Sequence, residues 1–549
     1  MNCFRLSAIP TLGAWLAFAA IAQQDPSAEA ARQARLRGSI TPEREWWDLQ
    51  HYDLAVQVSP ETKTIRGTNT IAFKVLRQGS RLQLDLQPPL KITKVRHGAH
   101  DLAFERDGNV YWITFRAPLE AGVETMLEVA YEGKPVESKR PPWSGGLSWN
   151  KDEQGNDFIA TSCQGIGASI WWPTKDHGYD EPDRGVDMRY TVPEKLTAVG
   201  NGRLIETTAD PTAGTRTFHW RVVNPINNYG VNMNIGRYVS MDGSYDGEGG
   251  KLTLQYWVLD GQQELAKKQF AEVPRTLQAF EHWFGKYPFY EDGYKLVVVP
   301  YLGMEHQSSV TYGNGFQNGY RGRDLSLTGV GKKFDFIIVH ESAHEWWGNN
   351  ISMRDAADMW IHESFANYAE NLFVEQHFTA KEAQDYVIGC RKLIRNDSPI
   401  IGKYGRNEEG SGDMYYKGGN MLHTMRHVLA DETKWRECLR GLNRAFWHRT
   451  VETAEVEAFM SRACGFDFGR MFDQYLRTTK IPLLHHEAVG DQVRVWFSDV
   501  VEGFVVPVVL LVNGAPQRVA IGADPVLVPC KGGLSSFGLD RNFYMRVKE

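Results

Sequence analysis

The chain has 549 residues, which at roughly 150 residues per domain suggests three or four domains. Its composition, 42% hydrophobic, 23% charged and 12% aromatic, is that of a folded globular protein and excludes disordered, collagen-like and small disulfide-scaffold classes. The net charge of −6 argues against a nucleic-acid binder, which presents a basic face.

Residues 1–22 carry one early positive charge at Arg5, an apolar stretch from Leu6, and small residues at Ala20 and Ala22. This is the pattern of a secretory signal peptide cleaved after Ala22, so the expectation is export to the periplasm or the medium. Beyond it no apolar run is long enough to span a membrane, and the mature protein is not expected to cross one. Five cysteines then remain: Cys163, Cys390, Cys438, Cys464 and Cys530. An odd, widely spaced set is no disulfide framework; a single Cys438–Cys464 bridge is left open.

From about 46 to 245 the chain alternates apolar and polar residues in short segments, such as Tyr52 to Val58 and Thr70 to Val75, separated by Gly, Pro and Asn. That predicts an all-β domain. The Gly-rich stretch 241–250 reads as a breaker and a boundary. Residues 262–284 have helical spacing with an irregularity at Pro274, and Tyr294 to Tyr301 is a β-branched run typical of a strand. Helical patterns dominate 332–480, and alternation returns beyond Pro482. The expected fold class is multidomain α+β: an N-terminal all-β domain over 46–245, a mixed α/β catalytic domain over 246–480, and a small C-terminal β-sandwich over 483–549.

The chemistry is concentrated in His340-Glu341-Ser342-Ala343-His344, an HExxH motif preceded by the apolar stretch 334–339 and followed by a helix stop at Gly348-Asn349-Asn350. Residues four apart share a helix face, so His340 and His344 can present two imidazoles to one ion. A catalytic zinc takes three protein ligands and keeps one open position. Glu363, at the start of a second helical pattern opening at Trp360, supplies the third. Glu341 lies beside the metal without pointing at it, where a general base belongs. An accidental HExxH is expected about 0.03 times in such a chain, and about 0.002 times with a Glu at one fixed later position.

HExxH, eighteen intervening residues and a Glu resembles the M1 family of zinc aminopeptidases, relatives of aminopeptidase N and leukotriene A4 hydrolase. Gly303-Met304-Glu305-His306 resembles the family's Gly-x-Met-Glu-Asn motif, Tyr415-Tyr416-Lys417-Gly418 its Tyr-Glu-Lys-Gly motif, and Asn201-Gly202-Arg203-Leu204 a signature of its N-terminal β domain. The resemblance implies a thermolysin-like catalytic domain, one zinc per chain on His340, His344 and Glu363, and removal of N-terminal residues from peptides with a free amino group. It leaves no room within these residues for the helical fourth domain of larger members. It assigns Glu341 as base, Tyr415 to the oxyanion (with Tyr416 the alternative in register), and Glu305 to the substrate ammonium. Gln164, in Thr161-Ser162-Cys163-Gln164-Gly165, is assigned a second amine contact. Gly303 and Met304 would pair with the extended substrate.

The chain departs from the family at His306, His362 and Ser364, and the segment Trp171 to Gly178 is longer than usual. A zinc-site epoxide hydrolase and an inactive binding protein of the same fold are the competing readings. Several other groups read as background. His423 and His427 lack a following Glu. Glu370 fits either a hydrogen-bond partner of the site or a solvated helix face. His485-His486 reads as exposed, and Trp346 and Trp347 as core and pocket wall. Oligomeric state and the preferred N-terminal side chain are not legible.

Overall fold

The computed structural model describes residues 28–548; the signal-peptide reading of residues 1–22 lies outside them. Helix α1 (Ala28–Gly38) leads into strand β1 (Trp47–Ser59), whose burial alternates residue by residue as the sequence predicts. β1 pairs antiparallel with β2 (Thr64–Val75) and parallel with β3 (Val186–Pro193) inside an eight-stranded sheet. Three- and four-stranded sheets complete the N-terminal β domain. Trp47, Trp171, Trp172 and Trp220 fill its core, with Tyr52 edge-on to Trp172 at 4.8 Å. The long segment from Trp171 to Gly178 is therefore buried structure: Thr174 bridges to Asp85 through the backbone, and Lys175 lies over the ring of Trp47.

The next sheet has the order β4-β5-β6-β8-β7. It contains β4 (Tyr238–Gly247), β5 (Gly250–Leu259), β6 (Tyr294–Val298), β7 (Gly303–Met304) and β8 (Val310–Tyr312). The Gly-rich stretch 241–250 is thus a hairpin and not a break: Asp246 faces Lys251 and Gly247 faces Gly250 across a two-residue turn. Tight hairpins use the same glycines that loops use, which is why composition alone misread it. A boundary at residue 245 falls within β4. Pro274 sits in the first turn of α2 (Glu272–Phe284), where no N–H is required of it. The helix ahead of α2 ends separately at Gln269.

Three helices carry the site: α3 (Phe336–Ala343), α4 (Trp360–His377) and α5 (Tyr416–Leu429). Asp335 caps α3 by accepting from the backbone N–H groups of Ile337 and Ile338. α3 stops at Ala343, ahead of the expected stop at Gly348. His344 keeps helical backbone angles and so stays on the face of His340. α4 is buried on all sides from Trp360 to Val374, as befits a helix at the centre of a domain. The C-terminal strands form a four-stranded and a three-stranded sheet. Arg391 ties them to the helices by donating to the carbonyls of Arg541, Asn542 and Phe543. His485 and His486 are half-buried and stacked on Trp496 and Phe537, contrary to the exposed reading. The described cysteines are free thiols, with Cys438 against Cys464. Among the described residues no helix is long and apolar enough to cross a membrane.

Arg44 joins α1 to the β domain. It is 0% exposed, pairs with Asp85 (2% exposed) at 2.6 Å, and donates to the carbonyls of Leu36, Arg37 and Ser39. Arg44→Met would strand a buried carboxylate. The expected loss is about 3–5 kcal/mol, read as a lower midpoint of denaturant unfolding followed by tryptophan emission; an unchanged midpoint would refute this role for the pair.

Candidate active site

His340 near the end of α3, His344 just past it, and Glu363 in the first turn of α4 bring their ligand atoms within 4.8 Å of one another. His340 Nδ1 donates to Glu370 Oε1 (2.7 Å), and His344 Nδ1 donates to the carbonyl of Trp347 (2.8 Å). A carboxylate and a carbonyl only accept, so each ring carries its proton on Nδ1 and aims the Nε2 lone pair inward. Those lone pairs lie 3.6 and 3.5 Å from Glu363 Oε2. That oxygen is buried with no hydrogen-bond partner. Three acceptors converging on one point with no donor between them fit a divalent cation, and the His₂Glu set is that of a catalytic zinc site.

Glu370 is fully buried and held by the Tyr386 hydroxyl (2.6 Å) and Asn367 Nδ2 (3.2 Å). It orients His340, so the solvated-face alternative does not hold. Glu341 points into the same space. Burial, reinforced by Glu305 and Glu363, raises its carboxyl above the usual carboxylate range. Gly303 stands opposite: a Cβ there would lie 2.7 Å from the Ile337 side chain and 3.2 Å from Glu341 Oε1. Glycine is needed to let β7, the outer strand of its sheet, approach the base. Met304 beside it is buried against Ala160, Val299, Tyr301 and Tyr229.

Glu305 and Gln164, far apart in sequence, meet here. Gln164 Nε2 donates to Glu305 Oε1 (2.8 Å) and lies 3.3 Å from Glu363 Oε1 and 3.6 Å from Met359 Sδ. Tyr229, which sequence reasoning did not single out, donates its hydroxyl to Glu305 Oε1 at 3.0 Å. His362 supports Tyr229. The Met353 N–H donates to His362 Nε2 (2.8 Å), which leaves the ring proton on Nδ1, 3.3 Å from the Tyr229 oxygen. Burial keeps that imidazole neutral by lowering its pKa to about 3. The departure at Ser364 also has a structural reason. The Ser364 hydroxyl donates to the Met414 carbonyl (2.6 Å) and faces Gly418, where a Cβ would come within 1.9 Å of it. His306 is fully buried, with Nδ1 3.4 Å from Thr311 Oγ1.

Tyr415 stacks on His340 with centroids 6.0 Å apart. Burial, then Glu363, Glu409 and Glu305, raise its phenol well above the ordinary value, so it stays protonated. Tyr416 is raised instead by burial, then by Cys390 and Glu370, and not by Glu363. Trp347, stacked on Phe365 at 4.1 Å, and Trp346 are both buried core. His423 and His427 lie away from the cluster, His423 bonded to Asn542 at 2.9 Å. Sequence reasoning missed Tyr229, Met359, Tyr386 and Asn367. None belongs to a local motif, and Asn367, four residues past Glu363, is the one that helix periodicity could have flagged.

The sequence matches two domain families: the Peptidase M1 N-terminal domain over residues 49–229 and the Peptidase family M1 domain over residues 269–475. It is 21% identical over 471 residues to Aminopeptidase 2 of Candida albicans, covering 80% of this chain and 48% of that protein. It is 20% identical over 425 residues to Leucyl aminopeptidase of Saccharolobus solfataricus, covering 74% and 50%. The chain thus spans about half the length of the curated relatives it matches. An M1 zinc metallopeptidase mutant from Deinococcus radiodurans, solved bound to a Tyr-Ser-Ala substrate, superposes with a TM-score of 0.68 at 21% identity. That match covers 81% of this chain and 98% of the solved one, and is a likeness of fold.

Because Glu370 fixes the His340 tautomer, Glu370→Ala should weaken zinc binding about 10- to 100-fold. Titration of the purified protein against a competing chromogenic chelator reads this directly, and equal zinc affinity in the variant would refute it.

Proposed function

The chain belongs to peptidase family M1, and from that premise we propose that it is a zinc-dependent aminopeptidase that removes single N-terminal residues from peptides. The observation that supports this most is the Gln164–Glu305–Tyr229 group set directly against the His340, His344 and Glu363 cluster. One zinc held on those three residues would supply Lewis-acid polarisation of the scissile carbonyl and activation of the attacking water.

The remaining roles fall to the chain's own side chains. Glu341 accepts the proton of the attacking water and returns it to the leaving amine. The Tyr415 phenol, kept protonated by its surroundings, donates to the oxygen on which negative charge develops. Glu305 takes the free ammonium. Gln164, whose Nε2 is held by Glu305, keeps its Oε1 as a second acceptor for that ammonium. A blocked amine would leave the buried Glu305 carboxylate without a counter-charge. The open edge of β7 at Gly303 and Met304 can receive the extended substrate as an added strand. The signal-like residues 1–22 place this activity, in the same proposal, outside the cytoplasm, in the periplasm or the medium.

Release of p-nitroaniline from aminoacyl reporters tests the reading. Activity should vanish with a chelator and return with zinc. Glu341→Gln should lower kcat about 10²–10⁴-fold, and Tyr415→Phe about 10²–10³-fold. N-acetylation of the reporter should cost about 10- to 100-fold in kcat/KM. Equal cleavage of acetylated and free substrates would refute the exopeptidase assignment, and full turnover by Glu341→Gln would refute the mechanism.

A further inference from the structure

Next to the amine anchor lies a loop, residues 400–411, that the mechanism does not use. It is pinned from several sides. The Tyr404 hydroxyl donates to Asp358 (2.5 Å), the Gly405 N–H to Asp355 (2.9 Å), and the Gly402 N–H to the Ala357 carbonyl (3.1 Å), all just ahead of α4. A Cβ on Gly410 would lie 1.7 Å from the Ile400 carbonyl oxygen, and one on Gly402 2.2 Å from that of Glu408, so the two arms of the loop touch backbone to backbone. Asn407 Nδ2 donates to the Gly165 carbonyl (2.8 Å), the residue after Gln164. The same carbonyl accepts from Arg37 Nη2 at 2.9 Å. The loop is therefore a fixed wall against the amine anchor.

This wall presents Glu409. Its Oε1 lies 3.2 Å from where a Cβ on Gly165 would stand. The side chain keeps a solvent-exposed surface and makes no hydrogen bond or ion pair with the described residues. Neighbouring protein, then repulsion from Glu363 and Glu305, raise its carboxyl above the usual carboxylate range, with Arg37 acting in the opposite direction. Arg37 itself is taken up by the Gly165 carbonyl and by Asp176 at 3.9 Å. Glu305, Glu341 and Glu363 thus have a fourth carboxylate nearby, Glu409, which feels two of them, Glu363 and Glu305. In the aminopeptidase reading the first three answer to the substrate ammonium, the transferred proton and the metal. Among the described residues Glu409 makes no ion pair, Arg37 being engaged elsewhere, and it stands beside Gly165, the residue after Gln164. A cation brought there relieves the repulsion among the carboxylates.

Resting on that aminopeptidase reading, we propose that Glu409 is a specificity-determining residue that selects peptides whose N-terminal side chain is cationic, lysine or arginine. The ammonium or guanidinium of that side chain would meet the carboxylate while the α-ammonium sits on Glu305.

The experiment compares lysyl and norleucyl p-nitroanilides, which match in length and differ in charge, with arginyl and glutamyl reporters added. The wild-type enzyme should favour lysyl over norleucyl by about 10- to 100-fold in kcat/KM. Glu409→Gln should bring that ratio close to one, Glu409→Asp should restore part of it, and Glu409→Lys should turn the preference toward the glutamyl reporter. A purely structural role for Glu409 would lower all reporters together and leave the ratios in place, and that result overturns the proposal. A wild-type lysyl-to-norleucyl ratio near one overturns it without any variant. If the wild-type protein hydrolyses norleucyl substrate and only the ratios fail to move, the Glu409 assignment alone falls. If it hydrolyses no reporter with zinc bound, the aminopeptidase reading falls with it.

Discussion

One buried oxygen sets the terms for the centre of this molecule. Glu363 Oε2 faces two imidazole lone pairs and has no donor to satisfy it. Acceptors turned toward each other in a dry interior are costly unless a cation lies between them. The surrounding structure holds this arrangement in place. Glu370 and the Trp347 carbonyl occupy the outward ring nitrogens, so neither ring can turn a donor inward. Tyr386 and Asn367 in turn hold Glu370. The burial of α4 on every face gives Glu363 and Glu370 a rigid base, two helical turns apart.

The sequence made the metal cluster legible because its spacing is local: two residues on one helix and a third at a fixed distance, each constrained by coordination geometry. Glu305, Gln164 and Tyr415 were legible only through family resemblance, and the structure does bring them to the cluster. Tyr229 and Met359 carried no signal, since what recruits them is proximity across sheets and not a pattern along the chain. The strand-rich and helix-rich regions were readable from periodicity. The hairpin at 241–250 was not, because a tight turn and an inter-domain break call on the same residues. His485 and His486 were misread for a related reason: an imidazole stacked on an aromatic ring across a sheet looks, in sequence, like any polar residue in a strand.

Two of the three family departures, His362 and Ser364, show how a site absorbs substitution without losing its chemistry. His362 is not a stray ligand. Its neutral ring, fixed by the Met353 N–H, offers a proton to Tyr229, which passes a hydrogen bond on to Glu305. Ser364 fits because Gly418 yields the room, and the pair sets how closely α4 and α5 approach. In both cases the substitution is met by a partner on another element, so its meaning is invisible until the fold brings the two together.

The same reasoning bears on why the N-terminal β domain matters to the chemistry. Gln164 follows strand Asp157–Ser162, and Tyr229 sits in the short turn Asn228–Gly230; both come from that domain, while Glu305 and the metal cluster come from the next. The junction is stitched tightly. Asn201 Nδ2 donates to the carbonyls of Gly230 and Gln307, both at 2.7 Å, and the Gly202 N–H donates to Ser308 Oγ at 2.9 Å. Gly202 has φ of +66°, and a Cβ there would lie 1.9 Å from the Arg221 carbonyl oxygen, so only glycine serves in that signature. A metal cluster can be assembled within one domain. In the proposed aminopeptidase, a device that measures one residue from a free amine needs a wall at a fixed distance from the metal, and that wall would come from a different domain locked in place through Asn201 and Gly202.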